Sequence, residues 1–150
     1  MTRTRPVFFV LGIALASATA YSTGLSSSLR AQAPKTVLDG IYTAAQAERG
    51  KAVYAMGCAG CHGDKAEGGA AGPTLSGPDF TNGYKDGSAG ALLNKISQDM
   101  PSSAPGSLEG AQYADVFAYI LSVNKYPAGQ TEAPKDAGDL KAVKMAAPKS

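Results

Sequence analysis

A long stretch of this chain, from Gly60 to Gly90, lacks the residues from which a protein core is normally built. It is dominated by Gly, Pro and small polar residues and shows no helix or strand periodicity. An aperiodic segment of this length is uncommon in a compact domain unless it wraps around something. Since the chain also has no Trp and only 7% aromatic residues, we expect a covalent staple or a bound group to help it fold.

The N-terminus has the pattern of a secretory signal. The basic segment "MTRTRP" precedes "VFFVLGIALASATA", an uncharged run that is too short for a comfortable membrane span and right for the apolar region of a signal peptide. Small residues suited to cleavage end at Ala20 and at Ala33, and the second site predicts a signal over residues 1–33 and a mature chain from about Pro34. The alternative is an uncleaved membrane anchor.

Export changes how the charge and the cysteines are interpreted. Removal of residues 1–33 takes away three Arg residues and no acidic residue, which leaves 11 basic and 12 acidic residues and a formal charge of −1 in place of +2. No polybasic patch then remains to favour nucleic acid as a partner. No membrane span is expected after cleavage. Export would place the two cysteines in an oxidising compartment, where a plain disulfide is the default.

Three segments of the chain have helical character. They are residues 44–57, residues 89–100 and residues 107–125. Gly57 is expected to end the first helix, Pro101 to end the second, and Ser107 to act as the N-cap of the third. From Tyr126 onward the chain is expected to form an extended strap. The pattern predicts three or four helices around much irregular backbone.

Both cysteines and the only histidine lie in "CAGCH", residues 58–62. Cys-x-x-Cys-His is the signature of c-type haem attachment, in which two thiols form thioethers to one porphyrin and the imidazole binds the iron. A thioredoxin-like dithiol would need a preceding strand, and a structural zinc site would need a ligand beyond Cys58, Cys61 and His62. A simple disulfide would leave His62 unexplained. The motif therefore predicts one covalently bound haem c per chain.

Haem iron takes a second axial ligand or keeps an open position, and the chain offers methionines for that ligand. Met56 is too near Cys58 to reach the opposite porphyrin face, and Met145 lies in the charged tail. Met100 follows His62 by 38 residues and stands at a helix end directly before a proline. We therefore predict Met100 as the ligand, with core packing as the alternative role of this side chain. His/Met ligation raises the reduction potential.

These features resemble the class I monohaem cytochromes c of the bacterial periplasmic type. The resemblance covers residues 44–125 and rests on "RGKAVYAMGCAGCHG", "GGAAGPTLSG", "MPSSAPGSL" and "YADVFAYIL". It implies an all-α cytochrome c fold, with three to four helices and long loops around one haem. It also implies that Gly50 and Tyr54 of the first helix pack against Val116 and Tyr119 of the last.

The resemblance implies further site residues. The carbonyl of Pro73, in "GPTL", is expected to accept the Nδ1–H of His62, which fixes the imidazole tautomer and raises its basicity. Leu75 is expected to pack on the haem. Tyr84 and Lys85 are further candidates for contacts with the haem propionates.

The expected organisation is a signal over residues 1–33, a cytochrome c domain over residues 34–125 and a C-terminal extension over residues 126–150. The implied function is non-catalytic electron transfer in the periplasm by Fe(II)/Fe(III) cycling. The expected partners are a periplasmic dehydrogenase or a quinol-oxidising complex on one side and a terminal oxidase or reductase on the other.

Two alternatives belong to other classes of protein. The chain could be the haem c subunit of a periplasmic dehydrogenase of the alcohol or sulfite type, permanently docked through its extension. A peroxidase or gas-binding haem would instead need an open position in place of Met100 and a distal acid–base group, for which the chain has no second histidine.

Overall fold

The computed structural model describes residues 36–148, so the predicted signal peptide lies outside the described residues. The described chain forms five α-helices: α1 (Ala44–Gly57), α2 (Ala59–His62), α3 (Gly77–Tyr84), α4 (Ala89–Asp99) and α5 (Gly110–Val123). Over these residues there are two short 3-10 helices and isolated β-bridges but no strand. The all-α fold class is confirmed. No helix over the same residues is both long enough and apolar enough to cross a membrane.

The main helix pair is formed by α1 and α5. At Gly50, α1 comes so close to α5 that a Cβ atom would overlap the carbonyl of Asp115 and lie 3.0 Å from the backbone nitrogen of Val116. About one turn further along α1, the ring of Tyr54 packs on that of Tyr119 with the ring centroids 4.9 Å apart. The helix contact that the resemblance implies is therefore confirmed.

Helix α4 contributes apolar side chains to the core and ends directly before the predicted ligand Met100. It begins after Ser88, whose Oγ accepts a hydrogen bond from the backbone N–H of Ala91 at 3.1 Å. Its last residue is Asp99, and Met100 is extended, as expected for a residue before proline. The apolar face of α4 is buried, and it comprises Leu92, Leu93 and Ile96.

Helix α5 begins at Gly110, so the prediction of Ser107 as its N-cap was wrong. Glu109 is the N-cap, and its backbone N–H donates to the side chain of Gln112 at 2.9 Å in a capping box. Ser107 instead lies in a turn, with its N–H bonded to the carbonyl of Ala104 at 3.2 Å. The Gln112 side chain accepts from the Glu109 N–H, and the Gln112 N–H donates to the Glu109 carbonyl at 2.9 Å, which places the start of the helix beyond Ser107.

The glycine-rich stretch contains a helix, α3, that the sequence analysis did not predict. Pro78 lies in its first turn, a position at which proline favours helix formation. Phe80 is the buried side chain of α3, and its ring packs on that of Tyr84 with the centroids 4.8 Å apart. One buried anchor makes no periodic apolar pattern, which is why the helix is not visible in the sequence.

The chain from Tyr126 onward is held at several points, both by the helices and by the N-terminal part of the described chain. Its backbone is tied to the N-terminal part by the bond from Val37 N–H to the Lys144 carbonyl at 3.0 Å, and to α4 by the bond from Ala89 N–H to the Val143 carbonyl at 2.8 Å. Its buried apolar side chains join the main core, and they are Tyr126, Ala133, Leu140, Val143 and Met145. The extension is therefore part of the same core as the helices.

Candidate functional site

One cavity, of about 200 Å³, brings together the residues that the sequence singles out for cofactor binding. All five helices contribute to its wall. The predicted residues on this wall are Cys58, Cys61, His62, Pro73, Leu75 and Met100. Much of the remaining wall is apolar and includes Leu92, Ile96, Val116 and Ile120. The cavity is thus largely apolar, and its wall also contains sulfur and nitrogen atoms that can bind a metal.

The two cysteines reach the cavity because α1 stops and a new turn begins at Cys58. This residue ends α1 through the bond from its N–H to the Tyr54 carbonyl at 2.8 Å, and its own carbonyl accepts from His62 N–H at 3.0 Å. Both thiols are free, with Cys58 half-buried and Cys61 exposed. Burial raises the pKa of the Cys58 thiol, and the nearby Cys61 adds to this effect.

The imidazole of His62 is buried and fixed in one orientation. Its Nδ1 lies 2.8 Å from the carbonyl oxygen of Pro73. Because a carbonyl only accepts, Nδ1 carries a proton, and in the neutral imidazole the lone pair is therefore on Nε2. A Cβ at Gly72 would lie 3.0 Å from the imidazole ring, so a glycine lets the loop approach this closely.

The loop that carries Pro73 is held by a residue that the sequence analysis missed, Asn124. Its side-chain Nδ2 donates to the Leu75 carbonyl at 2.8 Å, and its Oδ1 accepts from Gly77 N–H at 2.9 Å. Asn124 is 4% exposed and directly follows α5. The one sequence signal for Asn124 was its position directly after the helical pattern of α5. Its hydrogen-bond partners, Leu75 and Gly77, are far away in the chain and were not predictable from the sequence.

Of the three methionines that the structure describes, Met100 lies at the cavity. Its side chain is half-buried and contributes to the wall. Met56 is 80% exposed, and Met145 is 3% exposed within the main core. Neither of these two belongs to the cavity wall.

A basic residue at the cavity was also missed by the sequence analysis. Tyr84 lies on the wall, but Lys85, the other candidate for propionate contacts, does not, and Lys95 of α4 lies there instead. The Lys95 ammonium is 2.6 Å from the Asp99 carboxylate, one helical turn away. This hydrogen bond raises the pKa of Lys95. On α4, Leu92, Lys95 and Ile96 all line the cavity, and their i, i+3, i+4 spacing could have indicated the lysine.

The residues of the cavity fit haem c. Covalent attachment requires two thiols spaced by one turn, and axial ligation by nitrogen and sulfur requires an imidazole and a thioether. Those groups are present on one apolar cavity. The contact of Nδ1 with the Pro73 carbonyl leaves Nε2 as the ring nitrogen that could bind iron. Over residues 36–148, no cluster of three or more His, Cys, Asp or Glu side chains could hold a bare metal ion.

An all-α domain with a CxxCH turn and a methionine on one apolar cavity defines the class of c-type cytochromes. A family model described as "Cytochrome C oxidase, cbb3-type, subunit III" matches residues 45–120, half of the chain. The chain belongs to this family. The resemblance to c-type cytochromes is confirmed, and the family implies haem c as the cofactor.

Among solved structures, the chain is similar to the sulfane dehydrogenase SoxCD from Paracoccus pantotrophus. The two are 22% identical with a TM-score of 0.48, and the match covers 66% of this chain. It spans 52% of the SoxCD chain, about half of that length. No curated protein matches the chain significantly.

Proposed function

We propose that the protein is a periplasmic electron carrier with one haem c, joined by thioethers to Cys58 and Cys61 and ligated by His62 and Met100. The observation that carries this proposal is the presence of all four side chains on one apolar cavity. When bound, haem supplies reversible one-electron Fe(II)/Fe(III) chemistry.

The task proposed for His62 is to present Nε2 to the iron in a fixed direction. The Pro73 carbonyl, 2.8 Å from Nδ1, holds the proton on the other ring nitrogen and increases the electron density of the imidazole. Asn124 supports this contact because it fixes the loop at Leu75 and Gly77. The orientation of the imidazole is therefore set by contacts within the chain itself.

The task proposed for Met100 is to supply a soft sulfur ligand, which favours Fe(II) and raises the reduction potential. The apolar wall has the same effect, because a less polar surrounding disfavours the more highly charged oxidised state. If His62 and Met100 both held the haem, they would leave no position at the metal for a substrate, and no second histidine is available as a distal acid–base group. We therefore propose a carrier and not an enzyme.

The C-terminal extension supports a freely diffusing carrier over a permanently docked dehydrogenase subunit. Its large apolar side chains are buried in the protein's own core, and the exposed large apolar side chain of residues 36–148 is Met56, in α1. A carrier meets its partners through small transient interfaces. We propose as partners a periplasmic dehydrogenase or quinol-oxidising complex and a terminal oxidase or reductase.

The ligand assignment is tested by Met100→Ala, with Met56→Ala as the matched control. We expect a low-spin ferric spectrum for the unmodified holoprotein and for M56A. M100A is expected to lose the sulfur ligand, to become high-spin and to have a lower midpoint potential, because the soft ligand is gone. The measurement is a redox-titrated visible spectrum. Unchanged ligation in M100A would contradict the assignment.

The same preparations test export, stoichiometry and assembly. We propose cleavage after Ala33, which predicts a mass equal to residues 34–150 plus one haem. A monomer in gel filtration agrees with the carrier, whereas co-purification of a larger catalytic subunit would favour the dehydrogenase subunit.

A further inference from the structure

We propose that Tyr113 is a positioning residue that holds Met100 at the cavity through the backbone. The proposal rests on the proposed ligation by Met100. Tyr113 lies in the first half of α5, is 4% exposed and does not belong to the cavity wall. Its influence on the site is therefore indirect, and it passes through hydrogen bonds made by its hydroxyl group.

The Tyr113 hydroxyl joins the two ends of the segment that follows α4. It donates to the carbonyl of Met100 at 2.9 Å and accepts from the backbone N–H of Leu108 at 3.3 Å. A hydroxyl has one proton to donate and two lone pairs to accept with, so it can make both bonds together. Between these ends, residues 102–107 are exposed. One side chain of α5 thus connects the two ends of this exposed segment by hydrogen bonds.

The bond to the Met100 carbonyl completes the fixation of this residue. On its other side, the N–H of Met100 donates to the Ile96 carbonyl at 3.2 Å, as the last bond of α4. Both peptide groups that flank the Met100 side chain are therefore held, one by α4 and the other by α5. This matters because a methionine side chain has three rotatable bonds and does not set its own direction. The fixed backbone keeps the Met100 side chain at the cavity, so an added ligand has to compete with a sulfur that stays close to it.

The experiment uses ferric holoprotein and imidazole as the competing ligand. Tyr113→Phe removes the hydroxyl but keeps the buried ring. The matched control is Tyr42→Phe, which removes the bond from the Tyr42 hydroxyl to the Tyr126 carbonyl at 2.6 Å, away from the cavity wall. We expect Y113F to bind imidazole about five- to tenfold more tightly than the unmodified protein, the value of one hydrogen bond that no longer resists displacement. Y42F is expected to lower the melting temperature without changing imidazole affinity.

The outcomes separate this proposal from the ligand assignment on which it rests. If M100A keeps the ligation of the unmodified protein, the assignment of Met100 fails, and the role of Tyr113 fails with it. If M100A loses the sulfur ligand but Y113F binds imidazole like the unmodified protein, the role of Tyr113 alone is overturned.

A second measurement uses the same variant. The Leu108 amide of Y113F should exchange with solvent faster than that of the unmodified holoprotein, because the hydroxyl that accepts its hydrogen bond is gone. Equal exchange rates in the two proteins would overturn the proposal.

Discussion

The absence of a side chain at Gly50 lets α1 and α5 meet backbone to backbone. A methyl group there would overlap the Asp115 carbonyl, and a carbonyl within a helix cannot move aside alone. We expect Gly50→Ala to destabilise the holoprotein by about 1–3 kcal/mol, because the two helices must move apart. The gain in helix propensity, about 1 kcal/mol, only partly offsets this cost. Thermal unfolding followed by circular dichroism measures the difference.

The control for this substitution is Gly83→Ala in α3. A Cβ at Gly83 would have no neighbouring atom within 4 Å. The added methyl group is therefore expected to be neutral or to stabilise the protein by up to about 1 kcal/mol. If G50A had the same melting temperature as the unmodified protein, the close contact between the two helices would be refuted.

At the scale of elements, the extension is attached to α1 by two side chains. Gln46 binds the backbone of Ala133 twice, from Nε2 to the carbonyl at 3.1 Å and from the amide N–H to Oε1 at 2.7 Å. Arg49, about one turn later, pairs with Asp115 of α5 at 2.9 Å and with Glu132 of the extension at 2.8 Å. The glutamine is buried, whereas the arginine is about half exposed, so the glutamine contributes more to the attachment.

Gln46→Ala is expected to destabilise the protein by about 2–4 kcal/mol, since it leaves a buried N–H and a buried carbonyl without partners. The extension should also become more sensitive to proteolysis near Ala133, because its attachment to α1 is weakened. Limited proteolysis and denaturant unfolding measure the two effects. The exposed Glu48 of the same helix provides the control, and E48A should resemble the unmodified protein in both assays. Equal protease resistance in Q46A would contradict the proposed attachment.

Local signals explain which elements were predictable. Helix α1 has the predicted bounds, and α4 ends one residue before the predicted limit, because a proline and short-range hydrogen bonds set those ends. The start of α5 was misplaced because Ser107 is the more usual N-cap residue, although the Glu109–Gln112 pair sets the start, and α3 was missed because only Phe80 anchors it. The α5 error concerns only its first turn, whereas α3 was missed entirely because its periodic signal is weak.

The site divides in the same way between local and distant contacts. The "CAGCH" turn is contiguous, so the sequence alone placed Cys58, Cys61 and His62 together. Tyr113 and Asn124 act on segments far from them in the chain, through a backbone carbonyl or amide that no residue pattern identifies. Only the folded chain brings such partners within hydrogen-bond distance, and supporting residues of this kind therefore escaped the sequence analysis.

At the scale of the whole molecule, buried tyrosines link stability to alkaline pH. Burial raises the pKa of both Tyr42 and Tyr126 above the ordinary value for tyrosine. In the unfolded chain these groups ionise near pH 10. Above that pH the unfolded state therefore loses protons that the folded state retains, and the free energy of unfolding falls as the pH rises towards the folded-state pKa values. The loss is up to about 1.4 kcal/mol per pH unit for each tyrosine. Below pH 10 these groups leave stability unchanged.

Denaturant unfolding between about pH 8 and 11, followed by far-ultraviolet circular dichroism, tests this dependence. The stability of the unmodified protein should be insensitive to these tyrosines up to about pH 10 and fall above it. Tyr42→Phe removes one of the two groups, so its stability should be lower at pH 8 through the lost hydrogen bond to the Tyr126 carbonyl. Its further loss above pH 10 should, however, be smaller than in the unmodified protein. The two curves should therefore converge with rising pH, because an ionised Tyr42 could no longer donate that bond; parallel curves would show that Tyr42 does not contribute to the alkaline loss.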